Sequence, residues 1–320
     1  AKAECVVERL LAVFERVRKR PECDEYLPTG REQLKAHMLE VVSSKGNLVF
    51  LLPAFAMKCN SMEKVIQLGT ADRAEWEALR NLGAFAEAMG TEYSETTLVI
   101  ASDWRVYGEV MGTTEERGEG YCKQIRGFTK QYPHLVWASL EDLRGSECAL
   151  QSSSDDWLER EFGSAVEVVA ARIQEDANRK RVHELFCGFV KDEVSGLSQD
   201  ERAERAMRMM VRHDAYNRLL AAFSPGHIRL SIHTTANKDN KYCVNLLDNG
   251  EQNQKVTPWH GALVDHRSAA CQTLPPGAPG WQQGLEIMTK AEAEKRSYTC
   301  TCEGNPPLQF FRVPEATATS

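Results

Sequence analysis

Asn47-Leu48-Val49-Phe50-Leu51-Leu52 is a short continuous apolar run, the pattern of a strand buried on both faces. It leads into Pro53-Ala54-Phe55-Ala56-Met57-Lys58-Cys59-Asn60, a loop at the strand's C-terminal end. A helix comes next. Asp72 with Glu75 three residues on has the spacing of a capping box, and Trp76, Leu79, Leu82, Phe85 and Met89 recur at helical intervals. Residues 97–101 read as a second strand, ending in Ser102-Asp103-Trp104-Arg105. Residues 115–129 read as a helix with Tyr121, Ile125 and Phe128 on one face, and 135–138 as a short third strand. Strand, loop and helix repeating in this order predict parallel strands joined by helical crossovers. Open sheets of this kind favour ligands at the C-terminal ends of their strands.

Working outward, residues 3–19 predict an amphipathic helix through Val6, Leu10, Phe14 and Val17, and 31–44 a second through Leu34, Met38 and Val41. From 155 to 222 the pattern is helical with a break near Gly196, and Ser224-Pro225-Gly226 is the expected stop. Strands follow at 228–233, 241–247 and 261–265, the first two joined by 234–240 as an antiparallel hairpin. Residues 272–281 are irregular, a short helix lies near 288–296, and a strand at 308–313 closes the chain. The fold class expected is α/β with a mixed sheet: a parallel, Rossmann-like first half and an antiparallel C-terminal strand set. No internal repeat or linker divides residues 1–320, so a single domain is expected. The first residue is not Met, as after processing or excision from a longer chain.

The composition narrows the function classes. Hydrophobic residues are 42% and charged residues 27% of 320, enough for a core and unlike a disordered chain. A net charge of −7 argues against nonspecific nucleic-acid binding, which needs a positive footprint. Any anionic ligand then requires a local cluster of Arg and Lys. No apolar run approaches a membrane span. Ten cysteines are scattered, which suits reduced thiols and a cytoplasmic protein. Neither a Gly-x-Gly-x-x-Gly strand–helix turn nor a Walker loop is present.

Ile228-Arg229-Leu230-Ser231-Ile232-His233 alternates strictly, so Ile228, Leu230 and Ile232 should face a core while Arg229, Ser231 and His233 share the other face. With Lys241 and Thr257-Pro258-Trp259-His260, this offers two imidazoles for acid–base work, cations for an anion, and an aromatic wall. The plain alternative is a solvated sheet face. Lys58 offers another cation, or an ordinary surface lysine. Asp103 with Arg105 offers an orienting pair, or a turn cap and structural ion pair. Arg208, Arg212 and Tyr216, with Asn217 beside them, place charge on one helical face that is otherwise merely solvated. His233, His260 and Asp265 could make an iron triad, and Cys271, Cys300, Cys302 and His266 a zinc site, but neither has the usual close spacing.

Taken together, these pieces resemble the isocyanide (isonitrile) synthase family of the pyoverdine and dityrosine biosynthesis type. The resemblance is carried by Pro53-Ala54-Phe55 with Lys58, Ser102-Asp103-x-Arg105-Val106-Tyr107, Arg212-x-x-x-Tyr216, Arg229 to His233, Lys241 opening the next strand, and Thr257 to His260. It spans about residues 47–267. Cys59, Trp104 and Thr234 depart from the family's usual serine, glycine and proline, which bears on pocket shape and hence on the amino acid.

The resemblance implies conversion of an amino acid's α-amine to an isocyanide. Ribulose 5-phosphate would donate the carbon, through imine formation and carbon–carbon cleavage, without metal or redox cofactor. His233, His260, Lys241 and Asp103 would be catalytic. Lys58, Arg105, Arg212, Tyr216, Arg229, Ser231 and Trp259 would bind substrate. The expected partners are the amino acid and the phosphosugar, with fused or separate tailoring enzymes, and no nucleic acid or membrane. A formylating relative, a non-haem iron oxygenase and a non-catalytic sensor of amino acids or phosphosugars are the alternatives.

Overall fold

A computed structural model describes residues 2–144, 156–223, 226–250 and 256–314. In chain order the elements are α1 (Lys2–Val17), a π-turn (Tyr26–Gly30), α2 (Arg31–Ser44), β1 (Leu48–Pro53), α3 (Arg73–Glu92), β2 (Thr96–Ala101), a 3₁₀ turn (Trp104–Val106), α4 (Glu115–Thr129), β3 (Leu135–Ala138) and α5 (Leu140–Arg144). They continue with α6 (Asp156–Phe162), α7 (Val166–Glu175), α8 (Ala177–Glu193), α9 (Gln199–Phe223), β4 (Ile228–Ser231), β5 (Lys241–Cys243) and a second 3₁₀ turn (Pro258–His260). The last are β6 (Ala262–Asp265), α10 (Ala269–Gln272), β7 (Leu285–Met288), α11 (Lys290–Lys295), β8 (Thr299–Glu303) and β9 (Leu308–Arg312).

The first sheet is five-stranded, in the order β3-β2-β1-β4-β5, and every pairing in it is parallel. The order runs outward from β1 through β2 and β3, then restarts on the other side of β1 with β4. The topological switch therefore lies between β1 and β4. The two-faced burial read from β1 and the alternation read from β4 hold. Phe50, Leu52, Ile228, Leu230 and Ile232 join one core with Leu10, Phe14, Leu79 and Phe85, on the side of α1 to α4. Leu51, Val99 and Ala101 join a second with Leu143, Trp157, Ala215, Tyr216 and Leu219, on the side of α5, α6 and α9. The capping box at Asp72 and Glu75 is formed and starts α3.

A second, four-stranded sheet has the order β7-β6-β9-β8, with β6–β7 and β8–β9 antiparallel and β6–β9 parallel. α3 serves both sheets, because Ala74 packs with Leu247, Leu263, Leu285 and Phe310 while the rest of its apolar face fills the first core. Among the described residues no helix is long and apolar enough to cross a membrane.

Two sequence expectations change, and two strands went unread. Residues 234–240 do not make a hairpin: β4 and β5 run parallel, Arg229 opposite Lys241. Asn237, Asp239 and Asn240 take left-handed backbone with φ of 45°, 54° and 57°, a conformation that Asn and Asp tolerate better than other non-glycine residues. The chain thereby turns back to the start of β4, where Asn240 O accepts from Arg229 N at 2.8 Å. Buried Asn237 holds this turn: its side chain accepts from Cys243 N at 2.6 Å and donates to Lys19 O at 3.0 Å. The strand expected over 241–247 is only three residues long, since Val244 leaves the ladder for an isolated bridge with Arg18. β7 and β8 carried too little alternation to read, and β8 is largely exposed. The expected helix stop at Ser224-Pro225 and the thiol of Cys148 lie outside the described residues.

Phe14 is the hub of the first core, with ring centres of Tyr26, Phe50, Phe85 and Tyr242 at 6.1, 6.5, 6.5 and 5.7 Å. Phe14→Ala removes a fully buried ring and should cost about 3–5 kcal/mol of unfolding free energy, measured by urea denaturation.

Candidate functional site

Three loops leave the C-terminal ends of β1, β2 and β4 beside the switch point. Ser102 Oγ donates to Phe55 O at 2.7 Å, which joins the first two. Phe55 has φ 58°, strained backbone for a bulky residue, and its ring meets Trp259 edge-on at 4.9 Å. Cys59 N donates to Trp259 O at 2.9 Å, so the loop after β1 and the Pro258–His260 turn move as one unit.

Lys58 locks that unit to α3. Its ammonium is enclosed and bonded to Glu75 at 2.7 Å, Asp72 at 2.9 Å and Pro258 O at 3.4 Å. Burial opposes the charge, but the two carboxylates outweigh it and hold the pKa above the usual lysine range. Burial pushes the Glu75 carboxyl up, against the pull of Lys58. A ligand anion at Lys58 would have to displace one of these carboxylates.

Asp103 and Arg105 form a two-pronged pair at 2.9 and 2.6 Å. Asp103 also accepts from Arg105 N and from Leu140 N at 3.1 Å, and Arg105 reaches Glu141. This is the turn cap and ion pair named as the plain alternative. Trp104, between them, lies against Gly118 of α4, where a Cβ would come within 2.2 Å of the indole. Its bulk is thus taken up by a glycine on the neighbouring helix. Arg212 is 1% exposed and bonded to Glu159, to Glu109 at 2.6 Å and to Arg105 O at 3.2 Å. Arg208 reaches the same two glutamates.

The next turn of α9 has different neighbours. Here His213, Tyr216 and Asn217 face the polar side of β4. Arg229 donates to Asn217 Oδ1 at 2.9 Å, and Tyr107 Oη shares a 3.0 Å hydrogen bond with His213 Nδ1. Buried Arg229 Nε and Tyr216 Oη meet no partner among the described residues. Such donors are costly to leave unmet. Lys241 stands beside Arg229 in register, and no carboxylate among the described residues pairs with either. Burial lowers the pKa of both, and Arg229 lowers that of Lys241 further.

Three imidazoles border this region. Burial drives His213 down to about 4, helped by His233, Lys241 and Arg229 and opposed by Asp214. Burial likewise drives His260 to about 4, opposed by Glu193 and helped by Lys64, Lys58 and His233. His260 bonds Thr257 Oγ1 at 2.9 Å, points Nε2 toward Glu193 at 3.5 Å, and stacks on Phe189 at 5.0 Å. His233 reaches solvent, yet its concave surroundings and then the ammoniums of Lys19 and Lys241 hold its pKa below the usual value. Its backbone is pinned by Ser231 Oγ at 3.2 Å and by Cys243 Sγ at 3.0 Å. The three are neutral near pH 7 and so able to accept protons, and His233 lies within electrostatic reach of both others.

The sequence pointed to His233, His260, Lys241, Arg229, Ser231, Tyr216 and Trp259, and the structure places them around the switch point. His213, Tyr107, Glu193 and Phe189 were missed. The available signal was His213-x-x-x-Asn217, one turn of helix beside Tyr216. Asp265, the expected third iron ligand, is gripped by Arg267 at 3.0 and 2.7 Å. Among the described residues no group of three His, Cys, Asp or Glu is placed to hold a metal, and this covers Cys271, Cys300, Cys302 and His266.

Residues 38–277 match the model of the family described as "Pyoverdine/dityrosine biosynthesis protein". The chain belongs to the pyoverdine/dityrosine biosynthesis family. Among similar members, isocyanide synthase A of Aspergillus fumigatus is 28% identical over 75% of this chain and 40% of its own length. L-tryptophan isonitrile synthase AmbI2 of Fischerella ambigua is 25% identical over 82% of this chain and 76% of its own. The chain thus spans about two fifths of the fungal relative. The crystal structure of the PvcA protein from Pseudomonas aeruginosa superposes with a TM-score of 0.80 at 20% identity, covering 95% of this chain and 100% of that one. This likeness gives the fold of the family member described here.

Two outcomes follow from the geometry. Lys58→Ala strands two buried carboxylates and should cost about 3–5 kcal/mol of stability, read by thermal and urea unfolding. His213 and His260 have folded pKa values of about 4 against 6.5 in the unfolded chain. Their contribution is therefore complete above about pH 6.5 and is lost as the pH falls toward 4. Urea midpoints measured from pH 7 to 4 should fall across that window, and the fall should be smaller in the double variant His213→Gln/His260→Gln.

Proposed function

We propose that this chain is an isonitrile synthase that converts an amino acid's α-amine to an isocyanide, with ribulose 5-phosphate as carbon donor. The observation that carries the reading is the pairing of Arg229 with Lys241 across β4 and β5, next to the switch point. Two adjacent cations pair with no carboxylate among the described residues, beside buried unmet donors and three neutral imidazoles. Family membership and the printed activities of similar members support it.

Arg229 and Lys241 hold the phosphate or carboxylate, with Tyr216 Oη and Arg229 Nε as donors to it. His233, His260 and His213 move protons as the amine attacks the sugar ketone, the imine forms with loss of water, and both carbon–carbon bonds of the former ketone carbon break, releasing the sugar's remaining carbons. Phe55 and Trp259 wall the amino acid's side chain. Ser231 fixes the His233 backbone. Lys58, Asp103, Arg105 and Arg212 act by position: they hold the strand-end loops and α9 in place. The reading takes the phosphosugar as co-substrate, invokes no redox cofactor in this step, and keeps all the chemistry within residues 1–320. Separate or fused enzymes would consume the product.

The test is to incubate the purified protein with each proteinogenic amino acid and ribulose 5-phosphate and to seek the isocyanide by mass spectrometry. Absence of product with all of them overturns the proposal. A product heavier by one water would mean formylation. With the right amino acid, His213→Gln should lower kcat roughly 10²-fold or more. Lys241→Ala should raise the phosphosugar KM roughly ten- to a hundredfold, the worth of a charge-assisted hydrogen bond.

A further inference from the structure

We propose that a cavity between α3 and the second sheet is an anion site for a small phosphomonoester. It measures about 170 Å³ and shares no residue with the strand-end site. Arg73, Arg80, Arg267 and Arg312 line it, together with Asp265 and Glu303 and an apolar wall that includes Trp281 and Phe310.

Each guanidinium is anchored at one edge. Arg73 and Arg80 share Glu77 at 2.8 and 3.2 Å, Arg267 grips Asp265 at 3.0 and 2.7 Å, and Arg312 holds Glu303 at 2.7 Å. Aromatic faces set their planes: Arg80 lies 4.8 Å from the Trp281 ring centre, and Arg73 and Arg312 each lie 5.4 Å from that of Phe310. A guanidinium carries five N–H donors, so these anchors leave others open, and pre-set planes lose little freedom on binding. Four guanidiniums exceed the three carboxylates that anchor them.

Trp281 supplies an independent sign. It is 1% exposed and borders the cavity, and its indole N–H meets no acceptor among the described residues. A buried donor of this kind calls for an acceptor atom. The guanidiniums belong to α3, to β9 and to the segment after β6, so they suit a tetrahedral oxyanion that accepts from several directions. A carboxylate matches a single planar fork. Asp265 and Glu303 can take hydroxyls from the ligand's short carbon chain.

The experiment uses the indole N–H resonance of Trp281 in the full chain, assigned by its loss in Trp281→Phe. Inorganic phosphate and glycerol phosphate are titrated at constant ionic strength. The expected result is a saturable shift whose Kd rises roughly tenfold or more in Arg80→Gln/Arg312→Gln. Both of these arginines are partly exposed, so the variant should fold. The Kd should not change in Lys241→Ala, which separates this site from the strand-end site. A shift that never saturates, that chloride reproduces, or that survives the arginine double variant overturns the proposal. Loss of the shift in Lys241→Ala alone would assign the phosphate to the strand-end site and overturn it equally.

Discussion

The buried ammonium of Lys58 is the constraint on which the site rests. Two carboxylates at the start of α3 meet it, and one backbone carbonyl from the Pro258–His260 turn completes its coordination. An unpaired charge in a dry interior is very unfavourable, so the loop after β1, the N-terminus of α3 and the turn carrying Trp259 and His260 cannot drift apart. The capping box of α3 uses the same two carboxylates, since Asp72 accepts from Ala74 N and Glu75 from Asp72 N. Helix start and site wall are therefore one structure. Tyr121 of α4 adds a hydrogen bond to Glu75 at 3.3 Å, which extends the tie to the neighbouring helix.

Across the switch point the balance is reversed. On the β1 side every cation is matched by carboxylates, whereas on the β4 side Arg229 and Lys241 are matched by none among the described residues. α9 separates the two regimes. One stretch carries Arg208 and Arg212, whose charges meet Glu109 and Glu159. The turn that follows carries His213, Tyr216 and Asn217, turned toward Arg229, with Tyr216 continuing the row of Arg208 and Arg212. Burial lowers the pKa of the basic groups there, outweighing Asp214 at His213 and Glu193 at His260, and this leaves the imidazoles neutral. These are the conditions that a reaction needing proton acceptors beside an anionic substrate requires.

How far the sequence could be read varied by element, for physical reasons. β1 and β4 were legible because a strand's side-chain period is two and both faces of this sheet are covered. α4 was legible from its apolar spacing and matched at both ends. The 234–240 loop was misread because a hairpin and a short parallel return share the same polar residues. The choice between them rests on Asn237, whose partners Lys19 and Asp24 lie more than 200 residues away in the chain. β7 and β8 are short strands in a sheet largely open on one side, and their pattern is correspondingly weak. His213 went unread because a histidine inside an Arg- and Met-rich helix gives no sign of the direction it faces.

By itself, the sequence determined which residue types could do chemistry and which strand ends would carry them. Alternation and loop position are local properties, written within a few residues. The tertiary structure alone decided which charges are spent and which are free. Lys58, Asp103, Arg105 and Arg212 looked as available as Arg229 and Lys241 until their partners were in place. Asp103 and Arg105 hold each other locally, but the carboxylates that meet Lys58, Arg105 and Arg212 from α3, α5, α6 and the turn after β2 are farther off in the chain and close in space. Charge neutralisation acts over a few ångströms between side chains, so only the packed fold could separate the cations that carboxylates neutralise from those that pair with none among the described residues.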